Sequence, residues 1–498
     1  MFSMELNYSR LLNCAIISAL LTFLFICLID NKYKKTKLAL FYTSIVFYTL
    51  EAISFLTIMW YINYEILRNL FEPTNYIAAF QVYRKYTLLA VICVILTAIV
   101  ITVINKYVKI KNKYIRYPIM LCCVLYLATP YSMIYRFSKT VYKIMYNPSY
   151  KMTYQELFKH FTGKDFVDKK DLQVNAENGK NLVFIYLESY EQNFLHDSLK
   201  DASANVRKLA SEGEFYSNIP QIEGSSWTMA GIHTTLCGSP EIYSIRRNKL
   251  FPTVTYSDLI CFSDVLHKAG YNQVYIGGEF RTFSGKYYFL NLHGYDKVYG
   301  DKEIYAEYPI QEKDRWGWGA KDKDVFAFAK IKYKQLIESG KPFNLTISTI
   351  APHAPAGIYD ERCKNPFENS TLNAIQCDDE DLQSFLDFVK TQPNYENTII
   401  VLLPDHLLMS SNASDILNKI SNRQLYSIIL NNGKNVEHKG EILYTDIPDI
   451  VLENLNIKHN ALFLLHNYKN ESVNDRVKFI ENNVEKIRSF NNKTIKQE

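Results

Sequence analysis

Hydrophobic residues are unevenly distributed along the chain. Before residue 138 they form four long runs, at 10–30, 38–62, 86–105 and 117–136. Each run is about as long as the 20 mostly apolar residues that an α-helix needs to cross a bilayer. We therefore predict a transmembrane domain of about four helices over 1–137. No small-residue cleavage site follows the first run, which we interpret as a retained span.

Charge in the loops between these runs predicts their orientation. The stretches 31–37 and 106–116 are rich in lysine, whereas the basic residues of 63–85 are offset by Glu65 and Glu72. Positively charged loops stay on the cytoplasmic side of a membrane. Four spans then place the N-terminus and everything after the last span outside. Because topology explains these basic clusters, the net charge of +5 does not indicate a nucleic-acid partner.

The rest of the chain has the pattern of an α/β domain. Short apolar runs alternate with stretches of helical period, and the runs 181–190, 343–355 and 397–406 end in polar residues. Uninterrupted apolar runs are typical of strands that are buried on both faces. Their alternation with helices indicates a largely parallel central sheet flanked by helices. The predicted fold is an N-terminal α-helical bundle followed by this domain.

Changes in composition set the domain boundaries. Residues 138–178 are polar and are predicted to be a linker with one amphipathic helix, which could lie on the membrane surface. The α/β domain is predicted over 179–470. The polar residues 471–498 are predicted to form a surface helix or a frayed end.

Four cysteines lie in the α/β domain, at Cys237, Cys261, Cys363 and Cys377. An even number of cysteines in an exported domain indicates two disulfides, and four cysteines allow three pairings. We favour Cys237–Cys261 and Cys363–Cys377, because each closes a short loop. Four free thiols are the alternative.

Candidate chemistry lies where the predicted strands end. Glu188 ends the first strand, Asp405 and His406 end a later one, and Thr228 opens a predicted helix. Each signal alone is weak, but the carboxyl ends of parallel strands converge on one crevice. Carboxylates, an imidazole and a hydroxyl can together hold a divalent cation such as Zn²⁺ or Mn²⁺.

A set of motifs makes this pattern more specific. They are LES (187–189), EGSSWTMAGIHTTLCGSP (223–240), FSGKYYF (283–289), GYDKVYG (294–300), WGWGAKD (316–322), PHAP (352–355), PDH (404–406) and TDIPDIVLENL (445–455). Over about 180–460 the chain resembles the membrane-anchored phosphoglycerol and phosphoethanolamine transferases, in the sulfatase-like branch of the alkaline phosphatase superfamily. The phosphoglycerol transferases that modify periplasmic glucans are the most similar, and lipoteichoic acid synthases are more distant.

The resemblance implies a location and a reaction. It implies a multi-pass protein of the bacterial inner membrane with its catalytic domain in the periplasm. The donor would be a phospholipid, either phosphatidylglycerol or phosphatidylethanolamine. The acceptor would be a hydroxyl of an envelope glycan, such as periplasmic glucan, lipopolysaccharide, O-antigen or capsule. The LESYE segment and the GSSWTMAGIHTTLC segment favour phosphoglycerol without excluding phosphoethanolamine.

The resemblance also implies roles for individual residues. Glu188, Thr228, Asp405 and His406 match the metal-binding positions of the family, for Zn²⁺, Mn²⁺ or Mg²⁺. Thr228 matches its nucleophile, which would carry a phospho-threonine intermediate. His353 matches a histidine that contacts the substrate and would hydrogen-bond the phosphate or protonate the leaving group.

Further residues are candidates for substrate binding. Lys286 lies where lipoteichoic acid synthases carry an arginine near the phosphate. Trp227 could shape the donor pocket or pack beside the nucleophile. A possible acceptor groove comprises Trp316, Trp318, Lys321 and Asp322.

Several other polar residues have simpler interpretations. Ser225 or Ser226 is predicted to be the N-cap of the helix that Thr228 opens. His233 is predicted to be structural because it lies off the face of Thr228, and His293 is predicted to be a turn residue.

Two other functions compete with the transferase. A membrane-anchored sulfatase or phosphodiesterase would use water as acceptor, but sulfatases that generate formylglycine need a Cys/Ser-x-Pro-x-Arg segment that GSSWTMAG lacks. A protein that only binds envelope polymers would be expected to lack one or more of the four ligand positions, and all four are present.

Overall fold

The structure is a computed structural model. It describes residues 8–58, 112–145, 152–176, 179–242, 258–308, 319–360, 366–409, 411–420, 422–465 and 470–492, with isolated positions between these ranges. The chain forms two compact units, Met1–Asn147 and Pro148–Glu498.

The N-terminal unit is helical where it is described. Its helices are α1 (Tyr8–Leu28), α2 (Lys34–Ile58), α3 (Lys113–Leu127) and α4 (Met133–Met145). Thr22 Oγ1 of α1 and Tyr48 OH of α2 lie 2.7 Å apart in a hydrogen bond between the two helices. Within the described parts of the chain, no helix is long and apolar enough to span a membrane. The predicted transmembrane bundle is therefore not confirmed, and most of its third run lies outside the described residues.

The second unit contains ten described strands. They are β1 (Val174–Ala176), β2 (Asn181–Leu187), β3 (Glu214–Ile219), β4 (Asn272–Gly277), β5 (Lys297–Tyr299), β6 (Phe343–Ser348), β7 (Thr398–Pro404), β8 (Leu425–Leu430), β9 (Val436–Lys439) and β10 (Ile457–His459). Its described α-helices are α5 (Tyr154–Thr162), α6 (Ala204–Glu212), α7 (Thr228–Cys237), α8 (Phe262–Lys268), α9 (Lys286–Leu292), α10 (Asp301–Glu307), α11 (Asp322–Glu338), α12 (Ser370–Lys390), α13 (Ser414–Leu417), α14 (Ile447–Asn454) and α15 (Val473–Asn492).

Eight of the described strands form the central sheet, in the order β5-β4-β6-β2-β7-β8-β3-β9. From β5 to β7 every neighbouring pair is parallel. Strand β8 is antiparallel to both of its neighbours, and β3 and β9 are parallel to each other. Seven of the eight strands therefore run in one direction. The predicted largely parallel sheet is confirmed, with the correction that the sheet is mixed because β8 is reversed.

Helices cover both faces of this sheet, as the sequence predicted. On one face α7, α8 and α14 bury Ile232, Phe262 and Val451. On the other face α11 and α12 bury Phe326 and Phe385. Strands β2, β6 and β7 are buried along their whole length. This explains why their sequences are apolar without alternation.

The linker helix and the C-terminal segment pack together. Helix α5 begins with a capping box formed by Thr153 and Glu156, a motif that stabilises helix starts. The rings of Tyr154 and Phe490 stack with their centroids 4.5 Å apart, and Ile487 of α15 is buried in the same cluster. Residues Val473–Asn492 therefore form a packed helix, and the apolar face of α5 is covered by protein.

Both favoured disulfides are present. Cys237, the last residue of α7, is bonded to Cys261, the residue before α8. Cys363 is bonded to Cys377 of α12. The predicted pairing is confirmed, and the alternative of four free thiols is wrong.

Candidate metal centre

Two neighbouring strands end in the predicted ligands. Strands β2 and β7 are parallel and paired so that Leu187 lies opposite Pro404. The residues that follow, Glu188 and Asp405, therefore leave the sheet side by side, with His406 next in the chain. This is the carboxyl edge of the strands, where open α/β sheets form their ligand sites.

Helix α7 brings Thr228 to the same edge. Thr228 is the first residue of the helix, and its Oγ1 donates to Glu188 Oε2 over 3.3 Å. One turn later, Gly231 lies directly against the end of β7. A Cβ atom at Gly231 would be 2.0 Å from the carbonyl oxygen of Asp405. Only glycine therefore lets the helix approach the strand closely enough to bring the hydroxyl to the carboxylates.

Substituting Gly231→Ala should consequently displace α7 from β7. We expect a loss of about 1–3 kcal/mol in the free energy of unfolding, the usual cost of forcing extra volume into a packed site, and reduced activity per folded molecule. The measurements are denaturant unfolding and activity on the same preparation. In the control Gly340→Ala nothing lies within 4 Å of the new Cβ, but the φ of +67° disfavours alanine, so we expect lower stability with activity per folded molecule unchanged. Full activity in Gly231→Ala would contradict the close-approach argument.

The start of α7 differs from the prediction. The N-cap is Trp227, in extended conformation and without a side-chain capping bond. Ser225 Oγ instead donates to Ile222 O over 2.9 Å, because the turn before the helix uses this hydroxyl. The predicted serine cap is therefore wrong. Trp227 is 9% exposed, and its indole N–H donates to Glu241 Oε2 over 3.1 Å. This contact favours a packing role for Trp227 beside Thr228 over a role in shaping a pocket.

The three predicted side-chain ligands form a tight cluster. His406 Nε2 lies 3.6 Å from Glu188 Oε1 and 3.4 Å from Asp405 Oδ2. One ligand atom from each residue lies within 4.8 Å of the other two, and all three residues are buried. His406 Nδ1 lies 2.8 Å from the carbonyl of Leu407. That contact assigns the N–H to Nδ1 and makes Nε2 the nitrogen able to accept a cation.

The electrostatics of this cluster favour a bound cation. The pKa of Asp405 is raised to about 7, chiefly by burial and then by the charge of Glu188, while His406 opposes the shift. Asp405 Oδ2 is buried, and among the described residues it accepts no hydrogen bond of normal geometry. Two adjacent buried carboxylates cost free energy unless a positive charge compensates them. The donor set therefore fits a divalent cation held by Glu188, Asp405 and His406, with the Thr228 hydroxyl beside it.

Two residues that support the ligands were missed by the sequence analysis. Ser189 N donates to Asp405 Oδ1 over 2.9 Å, and Ser189 Oγ donates to Glu188 Oε1 over 2.6 Å. The backbone of Glu188 donates to Thr349 Oγ1 over 2.9 Å. Ser189 could have been noticed because it belongs to the LES motif. Thr349 carries no sequence signal, since the pairing of β2 with β6 alone brings it close.

The structure gives His353 a defined protonation state. His353 Nδ1 lies 2.7 Å from Ala354 O. Burial lowers the pKa of His353, the Ala354 carbonyl opposes this, and His406 lowers the pKa further. A neutral imidazole that donates from Nδ1 has its basic nitrogen at Nε2. Such a ring is suited to accept a proton or a hydrogen bond.

Lys286 lies in an ion pair that the sequence did not reveal. It is 1% exposed, and its ammonium group contacts Glu279 Oε1, which also accepts from Tyr275 OH over 3.2 Å. Burying a lysine is favourable only when a partner compensates its charge. Contact of Lys286 with a substrate phosphate stays a prediction.

The predicted acceptor groove is only partly described. Trp316 and Trp318 lie outside the described residues. Lys321 Nζ lies 3.4 Å from Asp360 Oδ2. The Asp322 carboxylate is buried and accepts the backbone N–H groups of Ile350 and Ala351 over 2.9 and 2.7 Å. Asp322 therefore holds the loop that leads to His353, and an acceptor groove at these residues stays a prediction.

The two histidines predicted to be structural make internal contacts. His233 Nδ1 lies 2.8 Å from Ser239 O. His293 follows α9, and its Nδ1 lies 2.7 Å from Asp264 Oδ2. His293 also lies near Cys237 and Cys261, but the disulfide between these cysteines leaves no thiolate to bind a metal.

These features define an α/β domain with a buried carboxylate–imidazole centre and an adjacent hydroxyl. The chain belongs to the Sulfatase family, whose model matches residues 180–445. That range contains Glu188, Thr228, Asp405 and His406. The predicted relationship to the sulfatase-like branch of the alkaline phosphatase superfamily is thereby confirmed.

The chain is also similar to individual proteins over part of its length. Phosphoglycerol transferase I from Escherichia coli O127:H6 is 31% identical over 257 residues, covering 50% of this chain and 34% of that protein. The chain thus spans about a third of the length of the curated relatives it matches. A Vibrio parahaemolyticus protein of the alkaline phosphatase superfamily aligns with a TM-score of 0.49 and 19% identity, covering 63% of this chain and 76% of that chain. The lipoteichoic acid synthase LtaP from Listeria monocytogenes aligns with a TM-score of 0.49 and 16% identity, covering 60% and 79%.

Proposed function

We propose that this protein is a metal-dependent transferase that moves phosphoglycerol from a membrane phospholipid to a hydroxyl of an envelope glycan. One observation carries the proposal. The Thr228 hydroxyl hydrogen-bonds to Glu188 beside Asp405 and His406, in a chain that is 31% identical to phosphoglycerol transferase I over 257 residues. A nucleophile held next to a cation site is the arrangement that phosphoryl transfer requires.

In the first half-reaction Thr228 Oγ attacks the phosphodiester phosphorus of the phospholipid. The bond from phosphorus to the diacylglycerol oxygen breaks, that oxygen takes up the proton that Thr228 has lost, and diacylglycerol leaves while phosphoglycerol remains on Thr228. The contact from Thr228 Oγ1 to Glu188 directs the hydroxyl proton toward the carboxylate and the oxygen lone pairs away from it. A cation bound by Glu188, Asp405 and His406 would lower the pKa of the hydroxyl and neutralise charge on the phosphate oxygens.

In the second half-reaction a glycan hydroxyl attacks the same phosphorus and releases Thr228. The attacking hydroxyl must lose its proton, and Thr228 must regain one. His353 supports this step because its lowered pKa keeps the ring neutral and able to accept a proton at Nε2. The proposed base is therefore His353, in place of the general-acid role implied by resemblance.

We further propose that the α/β domain works outside the cytoplasmic membrane, beside its phospholipid donor. The two disulfides support this location, because such bonds persist in oxidising compartments. The apolar runs of the N-terminal unit would hold the domain at the bilayer. A periplasmic reporter fused after residue 178 should be active, and an inactive reporter would reverse the orientation.

The proposed reaction is tested by following the label of a phospholipid head group. The protein is incubated with labelled phosphatidylglycerol or phosphatidylethanolamine, with and without an envelope glycan. Mass spectrometry should show one phosphoglycerol unit gained by the glycan. Transfer of ethanolamine instead would correct the donor. Release of the label into water in the presence of glycan would identify a hydrolase and overturn the proposal.

Metal binding should depend on pH through Asp405. Its pKa of about 7 means that below this pH a cation must displace a proton from the carboxyl group. The apparent dissociation constant for Mn²⁺ should therefore fall about tenfold for each pH unit up to about pH 7, then level off. Isothermal titration calorimetry between about pH 5.5 and about pH 8.5, on both sides of this transition, measures the dissociation constant. A dissociation constant that does not vary with pH would exclude this proton competition.

A further inference from the structure

A buried ion pair lies behind the candidate centre. Glu191 follows Glu188 by three residues and is fully buried. Arg423, just before β8, faces it with its guanidinium group. Arg423 Nε lies 2.8 Å from Glu191 Oε1 and 2.9 Å from Oε2, and Arg423 Nη2 contacts Oε2. The pair is a two-nitrogen fork, the geometry that arginine forms with carboxylates.

The Glu191–Arg423 pair also hydrogen-bonds to the loop that follows β7. Leu408 lies two residues after His406. Its N–H donates to Glu191 Oε2 over 3.0 Å, and its carbonyl oxygen accepts from Arg423 Nη2. Both backbone polar groups of Leu408, its N–H and its carbonyl, are therefore bound by the pair. The adjacent backbone N–H of Leu407 donates to Gln221 Oε1 over 2.7 Å.

These contacts connect the two loops that carry the ligands. Glu191 lies on the Glu188 loop, and Leu408 lies on the loop of Asp405 and His406. A short chain segment separates each contact from a ligand, so a shift of the pair would move ligands on both loops. The free energy that burial of Glu191 costs is compensated by Arg423 and the Leu408 N–H. The pair therefore joins the two loops through hydrogen bonds to both.

We infer that Glu191 and Arg423 are positioning residues that set the distance between Glu188 and the Asp405–His406 pair, and so the metal affinity of the centre. Neither Glu191 nor Arg423 is proposed to bind the metal itself. The inference rests on the proposed metal dependence of this centre. Residues that orient metal ligands commonly change affinity by about 10–100-fold when they are altered.

The test compares two conservative arginine substitutions in the full-length protein. Arg423→Lys keeps the positive charge but cannot form the fork. Arg362→Lys is the matched control, since Arg362 Nη2 contacts both oxygens of Asp381 over 2.8 and 2.7 Å but neither residue contacts a ligand loop. The dissociation constant for Mn²⁺ is measured by calorimetry without substrate, together with the thermal unfolding of the metal-free protein.

Arg423→Lys should weaken Mn²⁺ binding about 10–100-fold, whereas Arg362→Lys should change it less than about twofold. Equal Mn²⁺ affinities in the two variants, with a lower unfolding temperature for Arg423→Lys, would show a purely structural role and overturn the inference. If Arg423→Lys does not fold, Glu191→Gln serves instead and faces the same criterion. Because substrate is absent, a failure of phosphoglycerol transfer would overturn the proposed function without affecting this comparison.

Discussion

Replacing Thr228 with alanine is expected to abolish transfer of the head group. The variant has no hydroxyl to attack phosphorus, and water is a poor substitute in a site that positions the threonine oxygen. Losses on the order of 10⁴-fold or more are typical when a covalent nucleophile is removed. Because Thr228 opens α7 and makes one hydrogen bond to Glu188, the fold should persist.

Two measurements check this expectation. Intact-protein mass spectrometry should detect one added phosphoglycerol unit on the wild-type protein after incubation with phosphatidylglycerol alone, and none on Thr228→Ala. Thr228→Ser keeps a hydroxyl at the same place and should retain part of the activity. Glycan modification that survives in Thr228→Ala would show that another group is the nucleophile.

Replacing Asp405 with asparagine should remove both metal binding and activity. The substitution preserves shape but removes one of the two carboxylates that offset the cation charge. It also leaves the N–H groups of Ser189 and His406, which donate to Asp405 Oδ1 over 2.9 and 2.8 Å, with a weaker acceptor. We expect a rise of at least about 100-fold in the metal dissociation constant, from loss of a first ligand, and loss of transfer.

Calorimetry with Mn²⁺ and Zn²⁺, and activity before and after chelation, measure this effect. Asp165→Asn is the control, because Asp165 pairs with Lys159 over 2.9 Å and contacts none of the described candidate site residues. Chelation should inactivate the wild-type protein, and added metal should restore it. Full activity of Asp405→Asn in the presence of chelator would rule out a metal-dependent mechanism at this site.

The sequence was sufficient to locate the ligands because of a simple physical rule. A strand buried on both faces is apolar throughout, so titratable residues directly after it must lie at the sheet edge. Glu188, Asp405 and His406 all satisfy this rule, and the structure brings them together. The disulfides were predictable because cysteines close in sequence form short loops.

Other features could not be deduced in this way. The apolar run of β8 carries no information on direction, so its antiparallel orientation emerged only from the pairing. The pairing of Lys286 with Glu279 and of Arg423 with Glu191 depends on tertiary contacts between distant segments. The N-cap of α7 was misassigned because serine propensity was outweighed by a turn that engages Ser225.

The disulfide at the end of α7 makes the geometry of the candidate centre depend on oxidation of the protein. The helix that begins with Thr228 ends at Cys237, which is covalently tied to Cys261. In a reducing cytoplasm this bond does not persist, so the far end of the nucleophile helix lacks its covalent anchor there. In the proposed location outside the cytoplasmic membrane, oxidation of these cysteines would act as a maturation step that gives the helix its covalent anchor.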